Sequence, residues 1–135
     1  MTIQLSTTVR NARLDAIETA IGASAVLKIR SGAPPADVAM ADSGTVLATL
    51  SLPADWLAAA ASGQKAKAGT WEDAAADADG TAGHFRIYAS DGTTAHLQGT
   101  VTGSGGGGDM ELDNAVLATG QQVTITSFTL TDGNA

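Results

Sequence analysis

The segment Gly80–Val101 constrains the fold more than any other part of the chain, because it has the pattern of a β-hairpin. Apolar and polar side chains alternate with a period of two on both sides of a turn. A three-residue loop at 90–92 places Phe85 opposite Leu97 and keeps the apolar side chains on one face. The last loop residue, Gly92, then occupies the left-handed position of a G1 bulge. A two-residue loop would mix apolar and polar side chains on both faces, so we predict the three-residue loop.

The predicted register divides the hairpin into an apolar face and a polar face. The polar face holds both histidines of the chain, and a pair of histidines can begin a zinc site. A catalytic zinc needs a third protein ligand, and the chain has neither a third histidine nor a cysteine. We therefore interpret the polar face as an ordinary sheet surface that meets solvent or a neighbouring subunit. The apolar face comprises Phe85, Ile87, Ala95 and Leu97, and the polar face comprises His84, Arg86, Tyr88 and His96.

Residues 6–21 are predicted to form the N-terminal α-helix. Ser6 supplies an N-cap hydroxyl, and Gly22 follows the segment as a natural residue for the C-terminal end. Leu14 and Ile17 recur at helical spacing and mark the apolar side of the helix. The alanines between them allow another element to approach closely.

The charges on this helix run against its dipole. Arg10 and Arg13 lie in the N-terminal half, where the dipole favours acidic side chains. Asp15 and Glu18 lie in the C-terminal half, where it favours basic ones. One interpretation is that charges in the middle of a helix barely feel the dipole. The alternative is that these charges pair with a neighbouring subunit.

The rest of the chain, residues 25–131, has the pattern of a β domain. Its clearest strand is 45–52, in which Val, Ala and Leu side chains alternate with more polar ones. Trp56 follows that strand, and we expect it to anchor the core or an interface, with a sugar-stacking surface as the third alternative. Residues 64–71 are expected to form a strand whose lysine-bearing part, which includes Lys65, is solvated or lies at a sheet edge.

Residues 102–109, TGSGGGGD, have the lowest complexity in the chain. A phosphate-binding loop would continue into Lys and Ser or Thr and would open a helix, and this segment does neither. We therefore predict a flexible Gly-rich loop or the tip of a wide hairpin.

Residues 72–80 are rich in acidic side chains. Asp77 and Asp79, followed by Gly80, are similar to part of a calcium-binding loop. The EF-hand pattern requires a further ligand at the next odd position and a distant Glu, and both are missing here. The segment is predicted to be a solvated turn, with a weak Ca²⁺ site as the alternative.

Composition favours association with other chains. Aromatic residues make up 4% of the sequence, so the core must be built largely from small side chains. Small cores are usually supplemented by a disulfide, a metal or a partner, and the absence of cysteine excludes the disulfide. The net charge of −7, with few and scattered basic residues, argues against nucleic acid and anionic membranes as partners. No cofactor is expected.

Together these segments predict a mainly β fold in a single domain, residues 1–135. We expect a β-sandwich or partly closed barrel of about six to eight short antiparallel strands, with one N-terminal α-helix packed on one side or on a partner. The sequence suggests no nucleophile–base pair, so we do not expect an enzyme.

Five segments resemble a family of small structural proteins that are encoded by tailed bacteriophages and related prophages. Members of this family are described as head or tail proteins. The resemblance covers nearly the whole chain and brings no catalytic residues with it. The matching segments are LSTTVRNARLDAIETAIG (5–22), VLKIRSGAPPAD (26–37), GTVLATLSL (44–52), DADGTAGHFRIYASDGT (77–93) and GQQVTITSFTLTDGN (120–134).

The resemblance implies a non-enzymatic virion protein, made in the host cytoplasm, that decorates the head. A tail, neck or baseplate component is the alternative, and a carbohydrate-binding β-sandwich used in adsorption is an alternative from another class. The expected partners are other virion proteins, such as the major capsid protein or tail proteins, and further copies of the chain, with a trimer as one arrangement. The residues predicted to lie at subunit contacts are Arg10, Arg13, Leu14, Ile17 and Trp56.

Overall fold

A computed structural model of the chain describes residues 3–133. Within this range the chain forms one α-helix and ten β-strands, which confirms the mainly β class with an N-terminal helix. The elements are α1 (Thr7–Ile21), β1 (Val26–Ser31), β2 (Val46–Ser51), β3 (Gln64–Ala66), β4 (Trp71–Asp73), β5 (Gly80–Tyr88), β6 (Ala95–Gly103), β7 (Met110–Leu112), β8 (Val116–Leu117), β9 (Val123–Ile125) and β10 (Thr129–Thr131). There are more strands than the six to eight expected, because β7 and β8, and likewise β9 and β10, are separate strands with different partners.

The helix begins and ends where the sequence predicts. The Ser6 hydroxyl accepts a hydrogen bond from the Val9 N–H at 3.2 Å, which caps the first turn. Gly22 has a positive φ of 95°, and its N–H donates to the Glu18 carbonyl at 2.8 Å. Across residues 3–133 no helix combines the length and the apolar character needed to cross a membrane.

The main sheet has the strand order β2-β1-β5-β6-β7, and β8 pairs with the beginning of β5. The small pairs β3–β10 and β4–β9 lie outside that sheet. Leu27 and Ile29 of β1 lie opposite Ile87 and Phe85 of β5, and all four side chains are buried in the core. The core therefore lies on one face of the main sheet.

Four aromatic rings connect the small strand pairs to the main sheet. Trp56 and Trp71 have ring centroids 6.0 Å apart, and Trp71 lies 5.6 Å from Phe128. Phe128 meets Phe85 of the main sheet edge to face, also at 5.6 Å. Four of the five aromatic side chains of the sequence therefore form one series of ring contacts across the core.

The register of the β5–β6 hairpin differs from the prediction. Ile87 lies opposite Leu97, and Phe85 lies opposite Gly99, so the strands are offset by two residues from the expected pairing. The turn is longer because the Asp91 carboxylate accepts hydrogen bonds from the N–H groups of the two threonines that follow it, at 2.8 and 2.9 Å. A shift of two residues keeps Phe85, Ile87 and Leu97 on the apolar face. A bulge between Ile87 and Tyr88 sets Ala95 opposite Tyr88, so Ala95 lies with the polar face and not with the apolar face predicted for it.

The polar face of the hairpin is covered, which corrects the prediction that it meets solvent or a subunit. His84, Arg86 and Tyr88 are buried, and of the predicted polar face only His96 is exposed. The covering element is the connection between β1 and β2, residues 32–45. Its backbone and Asp42 accept hydrogen bonds from these side chains.

The strands β6 and β7 form a parallel pair, whereas an all-antiparallel sheet was expected. The Gly-rich segment connects these two parallel strands in only six residues, 104–109. Two positive-φ glycines, Gly105 and Gly107, donate their N–H groups to the Glu111 carboxylate at 3.1 Å. The segment predicted to be flexible thus carries a defined set of hydrogen bonds.

Replacement of Gly83 by Ala is expected to destabilise the fold by about 1–3 kcal/mol. A Cβ atom at this position would lie 2.2 Å from the backbone oxygen of Gly32, where the covering connection crosses β5. Gly103→Ala in β6 is the matched control, because a Cβ there meets nothing within 4 Å. Urea unfolding of both variants checks the prediction, and equal stabilities would contradict it.

Candidate functional site

A cluster of buried polar side chains lies between the main sheet and the connection 32–45, and Asp42 is at its centre. The Asp42 carboxylate accepts hydrogen bonds from Arg30 at 2.8 Å, from the Tyr88 hydroxyl at 2.8 Å and from Arg86. The Arg30 Nε also donates to the Tyr88 oxygen at 3.3 Å. One carboxylate therefore pairs with two guanidinium groups from adjacent strands.

The electrostatics of the cluster keep Asp42 ionised. Partial burial by itself raises the pKa of Asp42. Hydrogen bonds from Tyr88 and Arg86, together with the charges of Arg30 and Arg86, outweigh burial and hold the pKa below its ordinary value. Burial and the hydrogen bond to Asp42 raise the pKa of Tyr88, so the phenol stays protonated and donates.

Arg86 holds the shape of the covering connection. Its guanidinium donates to the backbone carbonyl of Val38 and, at 3.2 Å, to that of Met40. These contacts present the side chain of Met40, which is 54% exposed, at the outer surface. Beside it lies a shallow cleft of about 340 Å³ that Arg86 and Thr94 help to line.

His84 belongs to the same covered face. Its Nδ1 lies 2.8 Å from the carbonyl oxygen of Gly32, and because a carbonyl only accepts, the Nδ1 carries the proton. The Nε2 is buried and has no hydrogen-bond partner among the described residues. The hydrogen bond from His84 to Gly32 fixes the connection 32–45 to β5. The sequence did not predict this contact, because the two residues are distant in the chain.

A second ionic cluster joins α1 to β3 through Lys65. The Lys65 side chain is buried, and its Nζ lies 2.7 Å from Asp15 and 3.2 Å from Glu18. Burial by itself lowers the pKa of Lys65, but the hydrogen bonds to the two carboxylates raise it above its ordinary value. The prediction that Lys65 is solvated is therefore wrong, whereas the alternative that it lies at a sheet edge holds, because β3 pairs with β10 in a two-stranded sheet.

Asp15 and Glu18 also bind backbone N–H groups. Asp15 accepts from Ala60 at 3.0 Å, and Glu18 accepts from Leu57 at 2.9 Å. The hydrogen bond and charge of Lys65 and the N–H of Ala60 lower the pKa of Asp15. The carboxylates of Asp15 and Glu18 thus accept hydrogen bonds from the irregular segment that follows β2, which gives these acids a structural role despite their unfavourable position in the helix dipole.

The two helix arginines predicted at subunit contacts pair within their own chain. The Arg10 Nε donates to the Asp132 carbonyl at 2.9 Å, and the Arg13 Nε lies 3.2 Å from the Asp132 carboxylate. The charges that suggested pairing with a neighbouring subunit therefore have intramolecular partners. Arg13 keeps 60% of its side chain exposed.

The apolar residues predicted at subunit contacts lie inside the fold. Trp56 is fully buried, and its Nε1 donates to the Gly22 carbonyl at 3.0 Å. Leu14 is 3% exposed, and Ile17 is partly buried against the core. Leu14 and Trp56 are corrected to core residues, because in a chain with few large side chains the helix and the segment after β2 bury them first.

In a carbohydrate-binding β-sandwich of this sequence, the sugar would stack on Trp56, Trp71 or Tyr88. All three are fully buried, so none presents a ring face to solvent. Stacking on a sugar requires an exposed ring, and this correction removes the residues on which the carbohydrate-binding alternative depended.

The acidic segment, residues 72–80, accepts hydrogen bonds from two neighbouring segments of the chain. Asp77 accepts a hydrogen bond from the Thr49 hydroxyl at 2.8 Å, and Asp79 accepts from the Thr119 N–H at 2.6 Å. That hydrogen bond lowers the pKa of Asp79. Within residues 3–133 no three His, Cys, Asp or Glu side chains are grouped so as to hold a metal ion.

A groove of about 390 Å³ opens between β6 and β10. Its apolar walls come from the main sheet and from the segment around β10, and Asp109 contributes a carboxylate. The apolar residues that line it are Phe85, Leu97, Phe128 and Leu130. No sequence pattern pointed to this groove, because β6 and β10 are distant in sequence and belong to different sheets.

Comparison with protein-family models, curated proteins and solved structures found no match to this chain.

Asp42→Asn is expected to destabilise the protein by about 1–3 kcal/mol, because it leaves two buried guanidinium groups without a counter-charge. The figure is discounted from that of a fully buried pair, since 36% of the Asp42 side chain is exposed. Asp37→Asn in the same connection is the control, because the amide can still accept from the Ala39 N–H. Chemical denaturation of both variants measures the difference, and equal losses would contradict the role of Asp42.

The stability contributed by Asp42 is expected to depend on pH. Because its folded-state pKa lies below the unfolded value, the contribution is complete above about pH 4 and is lost as the pH falls through the folded pKa. The stability difference between the native chain and Asp42→Asn should therefore shrink in acid. Denaturation at pH 7 and at about pH 3 tests this, and a difference that is constant or larger in acid would refute it.

Lys65→Met is expected to cost about 1–3 kcal/mol, because Asp15 and Glu18 lose the cation that neutralises them while the aliphatic stem is kept. Lys67→Met is the matched control, since Lys67 is only half-buried and its Nζ donates to the Gly69 carbonyl and lies 5.8 Å from the centre of the Trp71 ring, where it contacts no carboxylate of the described residues. Thermal unfolding by circular dichroism compares the two. A larger loss in the Lys67 variant would be inconsistent with Lys65 as the anchor of the helix.

Proposed function

We propose that the chain is a non-enzymatic structural protein of a tailed-phage virion that decorates the head. The observation that carries the proposal is the use of the buried ionisable side chains as internal braces. Arg30, Arg86 and Asp42 hold the covering connection, and Lys65 holds the helix through Asp15. Charged groups that fix loops in place suit a subunit whose task is to present a constant surface.

The distribution of charge supports a role in binding to other proteins. Three of the seven basic side chains, Arg30, Lys65 and Arg86, are buried, whereas most acidic residues reach the surface. The accessible surface is therefore more acidic than the composition alone indicates. Such a surface complements a neutral or basic protein lattice and repels nucleic acid.

The resemblance to small phage virion proteins, noted above on five segments of the chain, agrees with this role. A decoration subunit needs no reaction chemistry, because its affinity comes from buried area multiplied over many copies. The buried clusters supply rigidity, which lowers the entropy that is lost when the surface is ordered on a particle.

Sedimentation with particles tests the proposed function. Purified heads and purified tails of a phage that encodes this chain are each mixed with the protein and pelleted. We expect the protein to pellet with heads in a fixed ratio to the capsid subunit. Pelleting with tails alone would assign it to the tail, neck or baseplate, and failure to pellet with either particle would overturn the virion proposal.

A further inference from the structure

We propose that the chain binds the particle through the Met40 surface, formed by residues 33–42 of the covering connection and by the adjacent hairpin turn 89–94. The partner there is a protein surface that offers an apolar pocket with lysine or arginine side chains around it. The inference deepens the proposed function and rests on it, since it names the contact surface and the chemistry of the partner.

The covering connection exposes small and apolar side chains. Its stretch 33–41, APPADVAMA, contains one charged residue, Asp37. Met40 is 54% exposed, and all four alanines of the stretch are exposed as well. A continuous run of exposed apolar side chains on one loop indicates a surface that another molecule covers.

The loop that carries Met40 is fixed from beneath. The Arg86 side chain is 1% exposed, and its guanidinium donates to the carbonyls of Val38 and Met40. The Met40 N–H donates to the Asp37 carbonyl at 3.1 Å, and the Ala39 N–H donates to the Asp37 carboxylate at 2.6 Å. A loop that is already ordered loses little conformational entropy when a partner covers it.

A recess lies directly beside the protruding Met40. It is the cleft of about 340 Å³ between the covering connection and the hairpin turn. Its apolar walls are Val38, Ala39, Ala41 and Ala95. A protruding side chain next to a recess lets two surfaces interlock, which is how the centre of an interface reaches the packing density of a protein interior.

The rim of the Met40 surface is acidic. Asp37 and Asp42 flank Met40 in the connection, and the Asp42 side chain is 36% exposed. Asp91 is exposed in the hairpin turn, where its carboxylate accepts hydrogen bonds from the N–H groups of two threonines, one of which follows the other in the cleft wall. An apolar centre with a charged rim is the usual anatomy of a protein interface.

The cations on this side of the molecule lie deeper than the acids. The side chains of Arg30 and Arg86, which pair with Asp42, are 8% and 1% exposed. Lys28 is half-buried, and its Nζ donates to the Gly92 carbonyl at 2.9 Å. A partner that covers Met40 therefore meets mainly carboxylates, and basic side chains around its pocket complement them. A second copy of this chain, with its net charge of −7, is disfavoured as the occupant.

The first test measures whether particles protect Met40 from oxidation. Dilute hydrogen peroxide converts exposed methionines to sulfoxides, and mass spectrometry follows each site. Met110 is 1% exposed and serves as the internal reference. Saturating purified heads should slow the oxidation of Met40 at least about fivefold and leave Met110 unchanged. An unchanged Met40 rate on heads that pellet the protein would overturn the inference.

The second test changes the side chain itself. Met40→Asp should raise the dissociation constant for heads at least about tenfold, because a carboxylate cannot enter an apolar pocket. Met40→Leu should bind like the native chain, and so should Val116→Asp, since Val116 is also exposed, at 59%, but lies on β8. Pelleting over a range of concentrations measures binding, and urea unfolding verifies the fold of each variant. Native binding by Met40→Asp, or an equal loss in Val116→Asp, would refute the assignment.

The third test addresses the basic rim of the partner. Asp37→Asn should weaken binding to heads at low ionic strength and have little effect at about 1 M salt, where charges are screened within about 3 Å. Asp113→Asn is the matched control, because Asp113 is also exposed but lines a different cleft. Tighter binding by Asp37→Asn would contradict a basic partner.

The surface and the proposed function fail separately. Heads that pellet the native chain and leave Met40 unprotected would retain the proposed function and reject the Met40 surface. Tails that alone pellet the chain and protect Met40 would move the protein to the tail and retain the surface. Failure to pellet with either particle would reject both.

Discussion

The structure depends on the burial of β5 on both of its faces. Phe85 and Ile87 enter the apolar core, while His84, Arg86 and Tyr88 enter the covered side of the sheet. A buried guanidinium needs a counter-charge and acceptors for its N–H groups. Asp42 and the carbonyls of the connection 32–45 supply these to the two terminal nitrogens of Arg86, while its Nε is buried without a hydrogen-bond partner among the described residues. The conformation of the connection is therefore tied to one strand of the sheet.

The helix is attached in the same way. The buried Lys65 binds Asp15 and Glu18, and those carboxylates also accept the N–H groups of Leu57 and Ala60. In both clusters a cation inside the fold positions an acid, and the acid orders an irregular segment. A chain with few large apolar side chains thereby obtains fixed loops that its core alone would hold weakly.

Sequence patterns predicted the local elements better than their partners. The caps Ser6 and Gly22 defined the helix, and the alternation in β5 divided its side chains correctly between two faces. The register was wrong because Asp91 closes a longer turn through side-chain hydrogen bonds, which alternation does not record. Trp56 was ambiguous for a related reason, since a large apolar residue serves a core and an interface equally well.

By itself the sequence determined the mainly β class, the helix, the two-faced hairpin and the acidic charge, because these follow from periodicity, capping and composition at short range. The tertiary structure decided which face of the hairpin is covered, where Lys65 and Trp56 are buried, and that a groove opens between β6 and β10. Those outcomes depend on segments far apart in the chain, such as 32–45 over β5 and β10 beside β6. Their meeting is set by the closure of the whole fold, and no local pattern contains it.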